Sequence, residues 1–399
     1  MDLVFSPDEL AFRDEVKDFL ATKLPEQIRL RTRLAPSYVA SEDTVAWQKI
    51  LYAQGWGAPN WPVEHGGTGW NAVQKYIYDA EYQAADCPRQ SPFGIAMVAP
   101  VIYTFGSEDQ KAQHLGPIIS GNALWCQGYS EPGSGSDLAS LQTRAVRDGE
   151  DYLVNGHKIW TSHAHHADWM FCLVRTDPEA KPQRGISFLL IDMTTPGITV
   201  KPIISMDGHH YLNEVFLDNV RVPATNRIAE ENKGWTYAKF LLGHERTGIA
   251  GVGKSKRKIE RLKDVAGTER NDGRALLEDA TFRARIGRAE VALRALEYTS
   301  LRIMARESAG QGPGPEASTL KISGTEIEQT LNELLIEAMA YYAAPYPADA
   351  LDPERNEPPI GPDHGVGLMQ EHLLRRAATI YGGSNEIQRG IIAKAVLEL

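Results

Sequence analysis

Cysteine is scarce. Cys87, Cys126 and Cys172 are the three in 399 residues, widely spaced and without a CxxC pair. That pattern argues against a disulfide framework or a thiolate zinc centre and fits a reducing compartment. No apolar run reaches the ~18 residues of a spanning helix, and the opening MDLVFSPDEL turns acidic within two residues, so neither a membrane span nor a signal peptide is expected. Positive charge is in deficit: 42 Lys and Arg face 52 Asp and Glu, a net charge of −10. The chain therefore has no overall positive field to collect nucleic acid or an anionic membrane, and it reads as cytoplasmic. There is also no βαβ alternation, which removes a Rossmann sheet, and no repeat of fixed period.

The length, with 42% apolar residues, exceeds the ~250–300 residues at which single cores stop growing, so two or three domains are expected. Residues 1–122 read as a helical domain. Ser6-Pro7-Asp8-Glu9 offers a capping serine, a first-turn proline and a capping-box glutamate, and Phe12, Val16, Phe19 and Leu20 then recur on one helical face. A second helix follows Ser41 and ends at Gly55. The stretch GWGAPNWPVEHGGTGW after it is too rich in glycine and proline for regular structure and reads as an ordered loop anchored by tryptophans.

From 123 to 230 the period drops to two. Asp148-Gly149 and Asn155-Gly156 each sit between apolar runs, which predicts consecutive hairpin strands over TRAVR, DYLV and HKIW. WMFCLVRTD, GISFLLIDM, GITVKPI and NEVFLDNVRVP add four more strands, together an antiparallel barrel or sandwich. Helices return over 231–399, at 234–264, 278–308, 316–343 and 368–397, the last broken by Gly382-Gly383, and read as a four-helix bundle. The fold class is thus α+β, helical then β then helical. The long excursion at 345–367 reads as a binding or subunit surface.

Several motifs carry chemistry. In WCQGYSEPGSGSD (125–137), Gly133 and Gly135 permit close backbone approach while Ser130, Ser134 and Ser136 supply hydroxyls. An ordinary Gly/Ser loop is the bland alternative. Trp160-Thr161-Ser162 puts an indole beside two hydroxyls in the same domain. Gly248 to Ser255 satisfies GxxxxGK[ST], but a phosphate loop needs a buried strand feeding it, and YAKFLLGHERT precedes it instead. KSKRKIERLK (254–263) reads as a solvated helix face. His163, His165 and His166 flank no carboxylate or thiolate pair at ligand spacing, so a surface turn is expected and no metal.

The run from WCQGYSEPGSGSDL through NGHKIWTS, ADWMFCLVRTD, GISFLLIDM, NEVFLDNVRVP, ENKGW and HERTGIA to IYGGSNEIQRGIIAKA resembles the acyl-CoA dehydrogenase flavoproteins over essentially the whole chain. Within them it is most similar to the large-subunit group of bacterial pimeloyl-CoA dehydrogenases. The resemblance implies FAD as cofactor, an acyl-CoA substrate and an electron-transfer flavoprotein as partner. It assigns Gln127, Tyr129, Ser130, Gly135, Ser136, Trp160, Thr161, Ser162, Ser384 and Glu386 to FAD, and Ser136, Arg246 and Gly382 to the substrate. The break at Gly382-Gly383 lets Ser384 cap a new helix whose free N–H groups suit an anion.

Many relatives carry the catalytic base where this chain has Gly382; a second branch uses the glutamate of an ER pair, here Glu245 before Arg246. Leu241, Glu245, Ile249 and Val252 share a helical stripe, where lost hydration would raise the carboxylate's pKa towards that of a general base. A structural ion pair is the alternative reading. The expected activity is FAD-dependent α,β-dehydrogenation of an acyl-CoA to the trans-2-enoyl-CoA, with linear, dicarboxylic, aromatic and steroid acyl groups all compatible. The rivals are a flavin oxidase or monooxygenase on the same fold, a partner subunit without turnover of its own, and a P-loop nucleotide-binding protein. Homotetrameric relatives complete the FAD site from a neighbour through an RxxFG segment and a glycine-rich turn. Here GTERNDGRALLEDATFRARIG has only Arg270 and Arg274, which leaves two options for a dimer or tetramer: these arginines and the 345–367 loop replace that segment, or a related second subunit supplies it.

Overall fold

The computed structural model describes residues 5–308, 314, 317–346, 351 and 355–398; the side chains at 243–249, 307 and 308 lie outside that description. The chain has an N-terminal helical domain, a middle β domain and a C-terminal helical domain. Two compact units cut across this order: a helical unit made of 1–43, 70–89 and 246–399, and a sheet-bearing unit made of 44–69 and 90–245.

In the helical unit, α1 (Pro7–Lys23) begins as its sequence dictates. The Ser6 hydroxyl accepts from the Glu9 N–H, and the Glu9 carboxylate accepts from the Ser6 N–H at 2.7 Å, which satisfies two donors a bare helix end would orphan. Phe12, Val16, Phe19 and Leu20 are all buried. A helix the periodicity does not announce, α2 (Glu26–Leu34), follows Pro25; four of its nine residues are charged, and it buries only Ile28 and Thr32. The chain continues through α3 (Ser41–Ala53) and, after the loop, α4 (Ala72–Ala84), capped by Asn71 with Gln74 as α1 is by Ser6 with Glu9. Trp70 packs edge-on to Phe12 with centroids 5.1 Å apart, and Trp56 and Trp61 are buried in the other unit, so the loop is anchored by tryptophans.

The expected long helix over 234–264 is two: α7 (Gly234–Ile249) and α8 (Val252–Thr268), parted at Gly251, whose φ of 58° is left-handed. The stripe through Leu241 therefore stops at Ile249, and Val252 belongs to the next helix. After α9 (Ala280–Ser308) and α10 (Ala317–Met339), the last expected helix is also divided. α11 (Leu368–Arg375) ends before the glycine pair, and α12 (Asn385–Val396) starts after it. α10 is the hub, touching α8, α9, α11 and α12. KSKRKIERLK is not a solvated face: Lys258 and Ser255 are buried, and Arg257 pairs with Asp86 at 2.8 Å.

The sheet-bearing unit holds a seven-stranded sheet of β1 (Trp125–Gly128), β2 (Arg144–Asp148), β3 (Asp151–Lys158), β4 (Trp169–Arg175), β5 (Ile186–Asp192), β6 (Ile198–Ile204) and β7 (His210–Pro223). Its order is β1-β4-β2-β3-β7-β6 with β5 on β4, and it is mixed, since β1 runs parallel to β4. β4 and β5 read as unbroken apolar runs because both faces are covered. Phe171, Leu173, Phe188 and Leu190 join the core of α5 (Ala99–Phe105), α6 (Glu108–Ser120) and the first part of α7, whereas Met170, Cys172, Leu189 and Ile191 fill the opposite core. Asp148-Gly149 does turn β2 into β3. Asn155-Gly156 does not turn: β3 runs through it, and the pairing with β7 shifts register there as a bulge. Asn155 Oδ1 accepts from the Asn219 N–H at 2.9 Å, and the Thr143 side chain leaves no room for a Cβ at 156. The Asn-Gly pair thus serves close approach, not reversal.

Among the described residues no helix is long and apolar enough to cross a membrane, and no group of three or more His, Cys, Asp or Glu is placed to hold a metal ion.

Candidate functional site

The site is built where β1 ends. Gly128 has no space for a side chain, since a Cβ would lie 2.5 Å from Met170 Sδ, so the backbone passes flush over β4. The Tyr129 ring turns into the core, edge-on to Phe171. Glu131 and Ser134 then exchange two backbone hydrogen bonds of 2.9 Å around Pro132-Gly133, a tight turn. Ser134 is buried, and its hydroxyl is spent on the Asp137 carbonyl at 2.9 Å, whereas Gly133, Gly135 and Ser136 are exposed, the two glycines with nothing within 4 Å of a built Cβ. Gln127 and Ser130 are half-buried.

What holds this segment is a buried ion pair that the sequence did not announce. Lys158 Nζ, fully buried at the end of β3, donates to Glu131 Oε1 at 2.8 Å and to the Tyr129 carbonyl at 3.1 Å. The Glu131 carboxylate also accepts the N–H groups of Gln142 at 2.6 Å and Thr143 at 2.9 Å. Burial works to raise the Glu131 pKa, but Lys158 and the hydrogen bonds from Thr143 and Gln142 outweigh it and hold the group ionised, below its usual range. Twenty-seven residues separate the partners, so no local spacing rule could have paired them.

The same strand end delivers Trp160-Thr161-Ser162 beside the loop, because the Ile159 N–H donates to the Ser130 carbonyl at 2.9 Å. Trp160 has a left-handed backbone, φ 60°, and 57% of it is exposed. Such a conformation in a bulky residue costs on the order of 1–3 kcal/mol and marks a constrained position. Thr161 is its opposite: 1% exposed, with a buried hydroxyl that has no hydrogen-bond partner among the described residues. Ser162 is half-buried. An open indole face, an orphaned buried hydroxyl and a glycine-flanked loop together suit a planar heteroaromatic ring with polar edges, so these residues fit a flavin.

The remaining sequence-predicted residues lie elsewhere. Glu245 and Arg246 are on α7, and their side chains fall outside the described residues. Gly382, with φ 66°, and Gly383, with φ 76°, form the turn before α12 in the helical unit. Ser384 caps α12 by accepting from the Ile387 N–H at 3.3 Å. Exposed Glu386 is held below its ordinary range by its own backbone N–H and the Ser384 hydroxyl. The phosphate-loop match at 248–255 dissolves into a helix end, Gly251 and a helix start, with Lys254 directed to Glu328 at 2.6 Å.

Three family models cover nearly the whole chain: "Acyl-CoA dehydrogenase, N-terminal domain" matches residues 6–122, the middle domain 126–220 and the C-terminal domain 232–397. The chain is 34% identical over 392 residues to "Acyl-CoA dehydrogenase IpdE1" of Mycobacterium tuberculosis, covering 97% of each. Among solved structures it is similar to a chain of the ChsE4-ChsE5 complex from Mycobacterium tuberculosis, with 31% identity and a TM-score of 0.83 over 100% of this chain and 99% of that one. It is also similar to a chain of the Tcur3481-Tcur3483 steroid ACAD, with 30% identity and a TM-score of 0.84 over the same shares.

Proposed function

The chain belongs to the acyl-CoA dehydrogenase family and is an oxidoreductase acting on acyl-CoA, and from that premise we propose that it binds FAD and oxidises a bulky, steroid-type acyl-CoA to the trans-2-enoyl-CoA. The observation that carries the FAD reading is the orphaned Thr161 hydroxyl beside the exposed Trp160 indole, at the end of the strand that clamps the 129–136 loop. When bound, FAD supplies the two-electron acceptor that oxidation of a carbon–carbon single bond requires.

The chain's own residues do the rest. Trp160 offers a ring face, the 127–136 backbone offers donors, and Ser384 and Glu386 at the start of α12 serve the remainder of the cofactor. Glu245 accepts the proton alpha to the thioester carbonyl. The Gly382 N–H donates to that carbonyl as enolate charge develops, a contact that needs no side chain. Ser136 and Arg246 serve the substrate. Electrons leave to an electron-transfer flavoprotein. The steroid-type substrate is supported by the second solved relative, which is named a steroid ACAD.

Assembly with a related second chain is supported by both solved relatives, whose names, ChsE4-ChsE5 and Tcur3481-Tcur3483, each join two differently named chains. Arg270 and Arg274 lie exposed on a small hairpin of β8 (Arg270–Asn271) and β9 (Arg274–Ala275).

The test is a spectrum of the purified chain, alone and co-expressed with a related partner, followed by anaerobic bleaching with linear, dicarboxylic and steroid side-chain acyl-CoAs. The holo-protein is expected to be yellow and to bleach, and Glu245→Gln to keep its FAD while bleaching slows by about 100-fold or more. Near-normal bleaching in that variant removes Glu245 as the base. Peroxide formation in place of acceptor reduction moves the enzyme to the oxidases.

A further inference from the structure

Asn213 and the histidines around it take no part in the chemistry described so far. Asn213 lies on β7 with no solvent exposure. It grips Thr161 from both sides: its carbonyl accepts from the Thr161 N–H at 2.9 Å, and its side-chain Nδ2 donates to the Thr161 carbonyl at 3.0 Å. A carbonyl can only accept, so the amide nitrogen must be the atom facing it, and this sets the orientation of the whole amide. The second Nδ2 hydrogen is directed at His165 Nδ1, 3.0 Å away, and Oδ1 faces His210 Nε2 at 2.8 Å. His165 Nδ1 must then be bare and His210 Nε2 protonated. The two imidazoles stack with centroids 4.0 Å apart. The segment they brace has left-handed backbone at two non-glycine residues, Trp160 and His163, and such a turn persists only when its surroundings hold it.

We propose that Asn213 is the positioning residue of the Trp160–Ser162 turn, its amide locked by neutral His165 on one side and by His210 on the other. The inference rests on the FAD reading above, because the turn matters through the ring it receives. Of the clustered His163, His165 and His166, His165 is in this view, with His210, the lock on an amide.

The surroundings of His165 are consistent with a neutral ring. His163 and His166 face it from its own turn, and His210 from β7. His209 stands next to Asp207 ahead of β7. Burial first, then His166, His210 and His163, lowers His165 to about 4. The lock is therefore intact through neutral pH, and a proton arriving on Nδ1 as pH falls through that value sets two donors face to face.

The experiment uses the full chain and two readouts: titration with FAD, and amide hydrogen exchange of the 158–166 segment, which needs no FAD. Asn213→Asp keeps the shape but replaces the donor towards Thr161 and His165 with an acceptor. FAD affinity at pH 8 is expected to fall by about ten- to a hundredfold and exchange at Thr161 to speed up by a similar factor, the effect of two lost hydrogen bonds. Both should recover in part at pH 6, as His165 takes up a proton beside the new carboxylate. His165→Leu should loosen the turn likewise, whereas His165→Gln, which keeps an accepting carbonyl, should restore it. If Asn213→Asp does not fold, the Leu and Gln pair at position 165 decides alone. Unchanged exchange in Asn213→Asp, equal behaviour of the two His165 variants, or a pH-independent loss that tracks the melting temperature overturns the proposal. Wild-type protein that takes up no FAD overturns the FAD reading instead, and the exchange result still decides whether Asn213 is the brace.

Discussion

Each compact unit buries charge, and the two do so differently. In the sheet-bearing unit one cation meets one anion: Lys158 and Glu131 pair at 2.8 Å, and their remaining hydrogen-bonding capacity goes to backbone groups of Tyr129, Gln142 and Thr143. In the helical unit Lys254, Lys258 and Arg375 surround Glu328 and Glu371, so α8, α10 and α11 meet at a cluster with one surplus positive charge. There the charges address each other: Arg375 lies 3.0 Å from Glu328 and 2.9 Å from Glu371, and Lys258 donates to Asn332 at 2.8 Å. A buried charge spent on backbone shapes a loop, and here it shapes the loop proposed to receive the flavin. A buried charge spent on other charges fixes how helices meet.

The largest expected effect comes from breaking the cluster. Glu371→Gln leaves three cations against one anion and should destabilise the helical unit by about 3–5 kcal/mol, read by denaturant unfolding; a loss below about 1 kcal/mol would mean that apolar packing, not charge, joins these helices. The pH dependence has a definite sign. Burial works to raise Glu328, but Arg375, Lys254 and Lys258 pull it down to about 2, and Glu371 is drawn well below its usual range against the same burial. Their contribution is complete above the unfolded carboxylate range near pH 4.3 and drains away as pH falls towards 2.

A smaller effect is expected at the other site. Glu131→Gln leaves Lys158 buried without its anion, at roughly 2–4 kcal/mol, and should release FAD while the unfolding transition of the helical unit stays in place. A variant that lost both together would erase the contrast between loop-shaping and helix-joining charge. The smallest effect should come from Lys258→Met, which removes the surplus cation and is expected to change stability by less than about 1.5 kcal/mol. Burial lowers Lys258 to about 8 despite Glu371 and Glu328. The folded state is therefore penalised below that pH and gains stability as pH rises from about 8 towards the unfolded value near 10.4. The Met variant should lack this alkaline gain in a series of melting curves.

These networks also mark the limit of what the sequence makes legible. Local chemistry reads well: the Ser6 capping box, the Asp148-Gly149 turn and the cap at Ser384 each depend on residues within four positions of one another. Signals with two physical uses mislead. Asn155-Gly156 has turn chemistry, yet Gly156 is there to admit Thr143. Gly251 interrupts what looks like one continuous helix, and Lys254, which completes a phosphate-loop pattern, is an ion-pair partner. Contacts between distant positions, Glu131 with Lys158 and Thr161 with Asn213, have no local signature at all. The Trp160–Ser162 stretch stands out in the sequence as an indole beside two hydroxyls, its proposed role towards FAD comes from the resemblance, and the Thr161 hydroxyl, buried without a partner among the described residues, supports it.

The division of the chain between its two units also sets a timetable. The sheet-bearing unit is closed by residue 245, whereas α1, α2 and α4 belong to a unit whose remaining helices, from α8 on, begin only after residue 245. On a ribosome adding roughly 5–20 residues per second, α4 leaves the tunnel some ten to thirty seconds before α8, against which it packs. Through that interval the apolar face of Phe12, Val16, Phe19 and Leu20 and the apolar side of α4 have each other and little else to cover them. The first helices of this protein are made early and finished late, and the nascent chain spends the wait with its longest-range contacts still unmade.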